Sequence, residues 1–133
     1  MDDCIFCKIA AGEAKSWKVK ENDTAYAFLD IHPTNPYHTL VIPKAHYRDI
    51  FDIPKDELAG IMSLVKDITD LYSAKLGIQN VQIVNSSGAE AQQDVFHIHF
   101  HIVPRHEGDG QDVTWTTHPE LAEKFPELLA KLN

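Results

Sequence analysis

Basic residues are in short supply, with 12 lysines and arginines against 20 aspartates and glutamates over 133 residues and a formal net charge of −8. That balance excludes a nucleic-acid polymer as the natural ligand, because backbone phosphates are held by a surplus of cationic side chains. No run is long and apolar enough for a transmembrane helix, and there is no internal repeat or low-complexity tract. The opening Met1-Asp2-Asp3-Cys4 lacks the basic segment and apolar core of a secretory signal, so a cytoplasmic location without a membrane partner is expected. The sequons at Asn22 and Asn85 then have no consequence. Length and a 44% hydrophobic content suit a single domain over residues 1–133 with a real core.

Cysteine is equally sparse. Cys4 and Cys7 form one C-x-x-C pair, which in a cytosolic protein points to a metal site or a redox dithiol more than to a structural disulfide. A thioredoxin-like reading needs a strand opening into a helix within a βαβ pattern, and that pattern is missing. Two thiolates leave two positions on tetrahedral zinc, for which imidazole is the usual partner. The plain alternative is a pair of reduced, partly buried thiols.

Histidine, by contrast, is abundant, and its arrangement is informative. From Gln93 to Arg105 the chain reads Gln-Asp-Val-Phe-His-Ile-His-Phe-His-Ile-Val-Pro-Arg. His97, His99 and His101 alternate with Ile98, Phe100 and Ile102, the period of a half-buried strand. Same-face neighbours are then about 6.6 Å apart, so three imidazoles share one wall. Imidazole can donate, accept, or attack phosphorus through a ring nitrogen near neutral pH. A merely solvated strand would need no particular residue. All three rings could hold one metal ion only if the strand bends.

Around this segment the sequence predicts α+β architecture. Ser16–Lys20 and Thr24–Leu29 read as strands joined by a Glu-Asn-Asp turn, with Thr39–Pro43, Val81–Val84 and His97–Val103 as three more. Leu58, Ile61, Met62, Val65, Ile68 and Tyr72 recur at helical spacing and predict one long helix from about Pro54 to Leu76. Pro54, Asp56 and Glu57 mark its start, and Gly77 marks its end. Leu64 and Leu71 widen its apolar surface, either for a dimer partner or simply to deepen the core. After a polar, glycine-containing stretch, Pro119–Leu132 predicts a terminal helix interrupted at Pro126.

The triad strand resembles the His-φ-His-φ-His-φ-φ signature of the histidine triad (HIT) family. Phe28-Leu29-Asp30-Ile31 with Pro33, then His38-Thr39-Leu40-Val41-Ile42-Pro43-Lys44 with His46, resembles the family's first block. The matches run from about Cys4 to Arg105, leaving residues 106–133 as an extension. The resemblance implies a mostly antiparallel five-stranded sheet with one long helix, and a homodimer in which the sheet continues across both subunits. It also implies a purine nucleotide substrate cleaved at its α-phosphate. Such a ligand is compatible with the acidic chain, since a local pocket can meet a few phosphate charges.

Residue by residue, the resemblance makes His99 the nucleophile, forming a covalent nucleotidyl-histidine that water then hydrolyses. His101 would bond the phosphoryl oxygens and His38 would hold or polarise the site. Gln93 and Asn85 match positions supplying neutral donors near the phosphate and leaving group. Phe6, Ile9, Phe28 and Ile31 would pack the base and nucleoside, while Asp30 would accept from the ribose hydroxyls. Zinc-containing relatives imply one structural Zn²⁺ per chain on Cys4, Cys7, His46 and His97, which takes His97 out of the chemistry. His32, His106 and His118 match no role.

One departure concerns the leaving group. Many relatives carry Gly-Gln and then a hydroxyl residue where this chain has Gln92, Gln93 and Asp94, after a Ser86–Ala91 loop one residue longer. A hydroxyl can relay a proton, whereas a carboxylate only accepts and repels phosphate. Asp94 either turns outward, leaving its amide to act, or carries a proton and serves as an acid. Phosphoramidate and dinucleoside polyphosphate therefore remain rival substrates. A catalytically weak nucleotide-binding module is the alternative from another class, although an intact His99 argues against it.

Overall fold

A computed structural model describes residues 3–133. In chain order it contains α1 (Ile5–Ala10), β1 (Lys18–Glu21), β2 (Ala25–Leu29), β3 (Thr39–Pro43), α2 (Lys55–Leu76), β4 (Val81–Val84), β5 (Phe100–Pro104) and α3 (Phe125–Ala130), with short 3₁₀ turns at Ala89–Ala91 and Pro119–Lys124. The strands form one antiparallel sheet in the order β1-β2-β3-β5-β4. This is the expected α+β, five-stranded arrangement with one long helix.

The sheet is covered on both faces because its strands alternate two apolar sets. Ala25 and Ala27 of β2, Val41 of β3 and Ile98, Phe100 and Ile102 pack with Ile61, Leu64, Val65, Ile68 and Tyr72 of α2. Small residues bring that helix in closely: a Cβ on Gly60 would lie 2.7 Å from Thr24 Cβ, and the Gly60 carbonyl accepts from Asn22 Nδ2 at 3.0 Å. The helix ends where Gly77 takes a left-handed φ of 69° and donates its N–H to Ser73 O. On the opposite face Tyr26, Phe28, Leu40 and Ile42 meet Phe6 and Ile9 of α1. Leu64 is fully buried in this single chain and Leu71 packs on the same core, so both residues deepen the monomer.

Two strand boundaries need correction. The triad is not one regular strand, because β5 begins only at Phe100. β3 reaches as far as the Val41–Phe100 pair, and Ile98 instead donates its N–H to Tyr47 O at 2.8 Å. The histidine side is not a solvent face, so the plain alternative of a merely solvated strand does not hold: α1 leaves His97 0% and His99 5% exposed. Finally, β1 starts at Lys18, and α1 itself was not anticipated; six residues are too few for a periodic signal.

The chain after β5 is fastened by Arg105. Its guanidinium donates to both Asp109 oxygens at 2.7 and 2.8 Å and to Asp112 at 2.7 Å, while Gln82 of β4 also accepts from it. Asn35 donates to Pro104 O and Asp109, closing the network against the β2–β3 loop. Beyond it, the terminal helical stretch divides at Lys124, with Pro126 in the first turn of α3, where its missing N–H removes no helical bond.

Candidate functional site: paired histidine clusters around the first helix

α1 organises two clusters. Cys4 caps it: the Cys7 N–H donates to Cys4 Sγ at 3.4 Å, three residues into the turn. The same spacing puts both sulfurs beside two imidazoles. Cys4 Sγ lies 3.4 Å and Cys7 Sγ 3.5 Å from His97 Nδ1, and Cys7 Sγ lies 3.3 Å from His46 Nδ1. Sulfur and nitrogen ligands on a tetrahedral zinc stand about 3.5 Å apart given ordinary bond lengths, so these separations fit one ion. All four donor atoms fall within 4.8 Å of one another.

The tautomers fit as well. His97 Nε2 sits 2.9 Å from the Pro43 carbonyl, which can only accept. Nε2 therefore carries the hydrogen and Nδ1 faces the sulfurs with its lone pair, the outer-shell arrangement of metal-bound histidine. Burial pushes His97 down to about 4, and burial together with the adjacent Cys4 pushes the Cys7 thiol up. Two crowded sulfurs resist ionising together, a conflict that a divalent cation removes.

The second cluster is a hydrogen-bonded relay. Thr34 N–H donates to His38 Nδ1 at 3.1 Å. Neutral His38 must then carry its hydrogen on Nε2, which stands 2.8 Å from His101 Nδ1. His101 in turn keeps its hydrogen on Nε2 as a donor. Burial holds His38 below its ordinary value, partly opposed by Asp30, whose Oδ2 is 3.6 Å from His38 Nε2. Burial pushes His101 down to about 4. Asp30, His38 and His101 also converge, yet 2.8 Å is shorter than the roughly 3.3 Å between two nitrogen ligands of one zinc. The contact is a hydrogen bond, not a ligand edge.

His99 stands between the clusters. Its Nδ1 lies 2.9 Å from the His97 carbonyl, so that nitrogen carries a hydrogen and donates it. Asn85 fixes the same backbone by donating to His99 O at 3.0 Å. The ring is almost wholly buried, and the nearest charged group to Nε2 is Asp94, whose Oδ1 is 3.5 Å away. Phe6 presses edge-on against His97 and His99, with centroids 5.9 and 5.2 Å apart. One α1 side chain thus links the metal-type cluster to the His99 ring.

His99 and His101 open onto a cleft of about 330 Å³ whose walls include Phe6, Ile9, Phe28, Asp30 and Ile31. Apolar walls with a few convergent polar groups are the usual makings of a small-molecule site. Asp30 Oδ1 accepts from His32 N–H at 2.8 Å and still has lone pairs to offer. His32, which matched no role, lies on this wall, as do Ile5 and Val95. Gln93 and Asn85 do not line the cleft. The Gln93 amide donates to Arg48 O and Val95 O and accepts from Gly88 N–H, so it pins the loop before the triad. Asn85 spends its oxygen on Ser87 Oγ and one hydrogen on His99 O. No spacing in the sequence separates such backbone anchors from ligand donors; the partners Arg48 O and His99 O lie in other segments.

A buried imidazole on an apolar cleft, beside a hydrogen-bonded pair of histidines and a Cys₂His₂ cluster, marks a histidine-centred site on an α+β fold. Residues 11–108 match the HIT domain, and the chain belongs to the HIT domain family. It is 42% identical over 135 residues to adenosine 5′-monophosphoramidase of Saccharomyces cerevisiae, covering 98% of this chain and 83% of that protein. Among solved structures, a HIT family protein from Bacillus anthracis superposes with a TM-score of 0.89 at 36% identity, covering 98% of this chain and 95% of the other. A zinc-bound histidine triad family protein from Mycobacterium smegmatis superposes with a TM-score of 0.78 at 34% identity, covering 98% and 96%.

Proposed function

We propose that this protein hydrolyses a purine nucleotide conjugate at the α-phosphate, through a covalent nucleotidyl-His99, and releases the nucleoside monophosphate. The observation that carries the proposal is the His99 ring: its Nδ1–H is committed to the His97 carbonyl, which leaves Nε2 as the ring nitrogen available to attack on the cleft side. Anionic phosphoryl oxygens repel charged nucleophiles, so an uncharged attacker beside hydrogen-bond donors meets the requirement. His99 Nε2 forms a bond to phosphorus while the bond to the leaving group breaks, its electron pair departing with that group. The His101 Nε2–H donates to a phosphoryl oxygen, and His38 holds His101 in the tautomer that can do so. Water then cleaves the N–P bond and restores His99. Phe6, Ile9, Phe28 and Ile31 hold the nucleoside and Asp30 accepts from its ribose, whereas Gln93 and Asn85 act by holding the loop and the His99 backbone.

Zinc is the metal that the Cys4, Cys7, His46 and His97 donor set fits best, and it ties α1 to the segment carrying His99. The zinc-bound relative supports that choice, and the phosphoramidase relative supports a nucleoside phosphoramidate as substrate. A cytoplasmic homodimer completes the proposal. β4 is an outer strand with Ile83 and Val84 43% and 39% exposed, an edge suited to continuing the sheet into a second copy. No helix among the described residues is long and apolar enough to cross a membrane. The functional test compares turnover of an adenosine phosphoramidate, a dinucleoside tetraphosphate and adenylyl sulfate, scored by AMP release. No AMP from any of them rejects the hydrolase and leaves a binding module.

A further inference from the structure

We infer that Asp94 selects the leaving group by charge, favouring an amine that carries its own positive charge and excluding an anionic one. This rests on the hydrolase reading above. Asp94 turns outward, with its side chain 82% exposed and Oδ1 accepting from Val95 N–H at 2.8 Å. Yet the same Oδ1 stays 3.5 Å from His99 Nε2, that buried nitrogen's one ion-pair partner among the described residues. A phosphorus poised for attack sits about 3 to 3.5 Å from its nucleophile. The carboxylate therefore borders the space through which phosphorus and leaving group must pass.

What lies beyond Asp94 has the same sign. The substrate cleft and an open neighbouring cavity of about 680 Å³ share Ile5, Asp94 and Val95 as their common wall. The second cavity presents Asp3 and Asp52 as well as Asp94, against one guanidinium, that of Arg48, whose Nε is 3.3 Å from Asp49 Oδ2. His46, also on this wall, faces Cys7 through Nδ1. Among the described residues, a leaving group entering this cavity meets three carboxylates and one already paired cation. Polyphosphate is repelled there, and an ammonium is attracted.

The test uses three AMP phosphoramidates with similar P–N bonds, made from ethylenediamine, propylamine and β-alanine, so that the leaving amine bears an added positive, zero or negative charge. In each, the P–N electron pair leaves with nitrogen, which takes its proton from water. For the native protein we expect kcat/KM to fall in the order cation, neutral, anion, with cation and anion about ten-fold or more apart for charges near 5 Å at the screened edge of a protein. Asp94→Asn and Asp94→Ser should shrink the cation-to-anion ratio several-fold, with Asp3 and Asp52 keeping a remainder, while Asp94→Glu should keep it. Because the ratio is taken within each variant, a general loss of activity does not mimic the effect. An unchanged ratio in both neutral variants, or no charge ranking in the native protein, overturns the inference. Failure to release AMP even from the propylamine conjugate instead rejects the hydrolase. In that case, competition of the three conjugates against AMP binding reads the same ranking, and an absent ranking again counts against Asp94.

Discussion

His38 Nε2 lies 2.8 Å from His101 Nδ1, and this contact fixes the hydrogen on both rings. Since the Thr34 N–H already occupies His38 Nδ1, the relay runs one way and ends on His101 Nε2. His38→Ala leaves the buried His101 nitrogen without a donor and frees its tautomer. We expect a fall in kcat of about 10²-fold, the usual effect of losing an aligned donor to a phosphoryl or oxyanion group. His38→Gln, which can still donate, should recover part of it. Steady-state kinetics of the two variants checks this, and equal losses would argue for a packing role alone.

The same relay sets a pH dependence of stability. His101 is pushed down to about 4 by burial, first of all, and by its neighbouring histidines, from 6.5. Between those values an unfolded chain takes up a proton that the folded chain refuses, so stability must fall as pH drops from about 6.5 to 4 and is fully present above that window. Denaturant unfolding across the range should show the loss in the native protein and a smaller one in His101→Asn. An identical slope in both would remove His101 as its source.

Gln92 adopts φ 72° and ψ 26°, a left-handed conformation, where many HIT relatives carry glycine. That conformation costs a side-chain-bearing residue about 1–2 kcal/mol, against roughly 0.5–1 kcal/mol for the extra unfolded-state freedom of glycine. Gln92→Gly should therefore stabilise the protein by a few tenths to about 1 kcal/mol by the same comparison. Chemical denaturation decides the sign.

The departure at Gln92 was legible in the sequence; its backbone meaning was not, because no side-chain pattern reports a dihedral. The same division runs through the molecule. The long helix and β3 were readable from apolar spacing, and their bounds agree closely with Lys55–Leu76 and Thr39–Pro43. The alternation at His97–Val103 signalled which residues share a side, as Ile98, Phe100 and Ile102 do in the core. It did not signal that the side bearing the histidines is buried, because α1 is a six-residue helix from a distant part of the chain. Cys4 and Cys7 pointed to a metal, whereas Cys4 as a helix cap and Phe6 as the bridge to His99 emerge only from tertiary contacts. Gln93 and Asn85 show the limit most clearly: family position suggested the phosphate, and the fold commits their amides to backbone.

The cysteine–histidine cluster makes a further prediction. Protein purified without added zinc should contain about one zinc per chain, the stoichiometry of a closed four-ligand site. Cys4→Ser should lose that metal and lower the unfolding temperature. Elemental analysis alongside thermal unfolding checks both, and a metal-free native protein with unchanged stability would exclude the site.

Whether His99 carries the nucleotide is tested most directly by rapid quenching. A substrate labelled at the α-phosphate should leave an acid-labile adduct on the peptide containing His99 during turnover. His99→Ala should form no adduct and lose turnover by about 10³-fold or more while still binding AMP through Asp30 and the apolar walls. His97→Ala should instead release metal and destabilise the chain. A labelled adduct mapped to His99, absent from the alanine variant, is the predicted result; an active His99→Ala protein, or turnover with no label on that peptide, would contradict it.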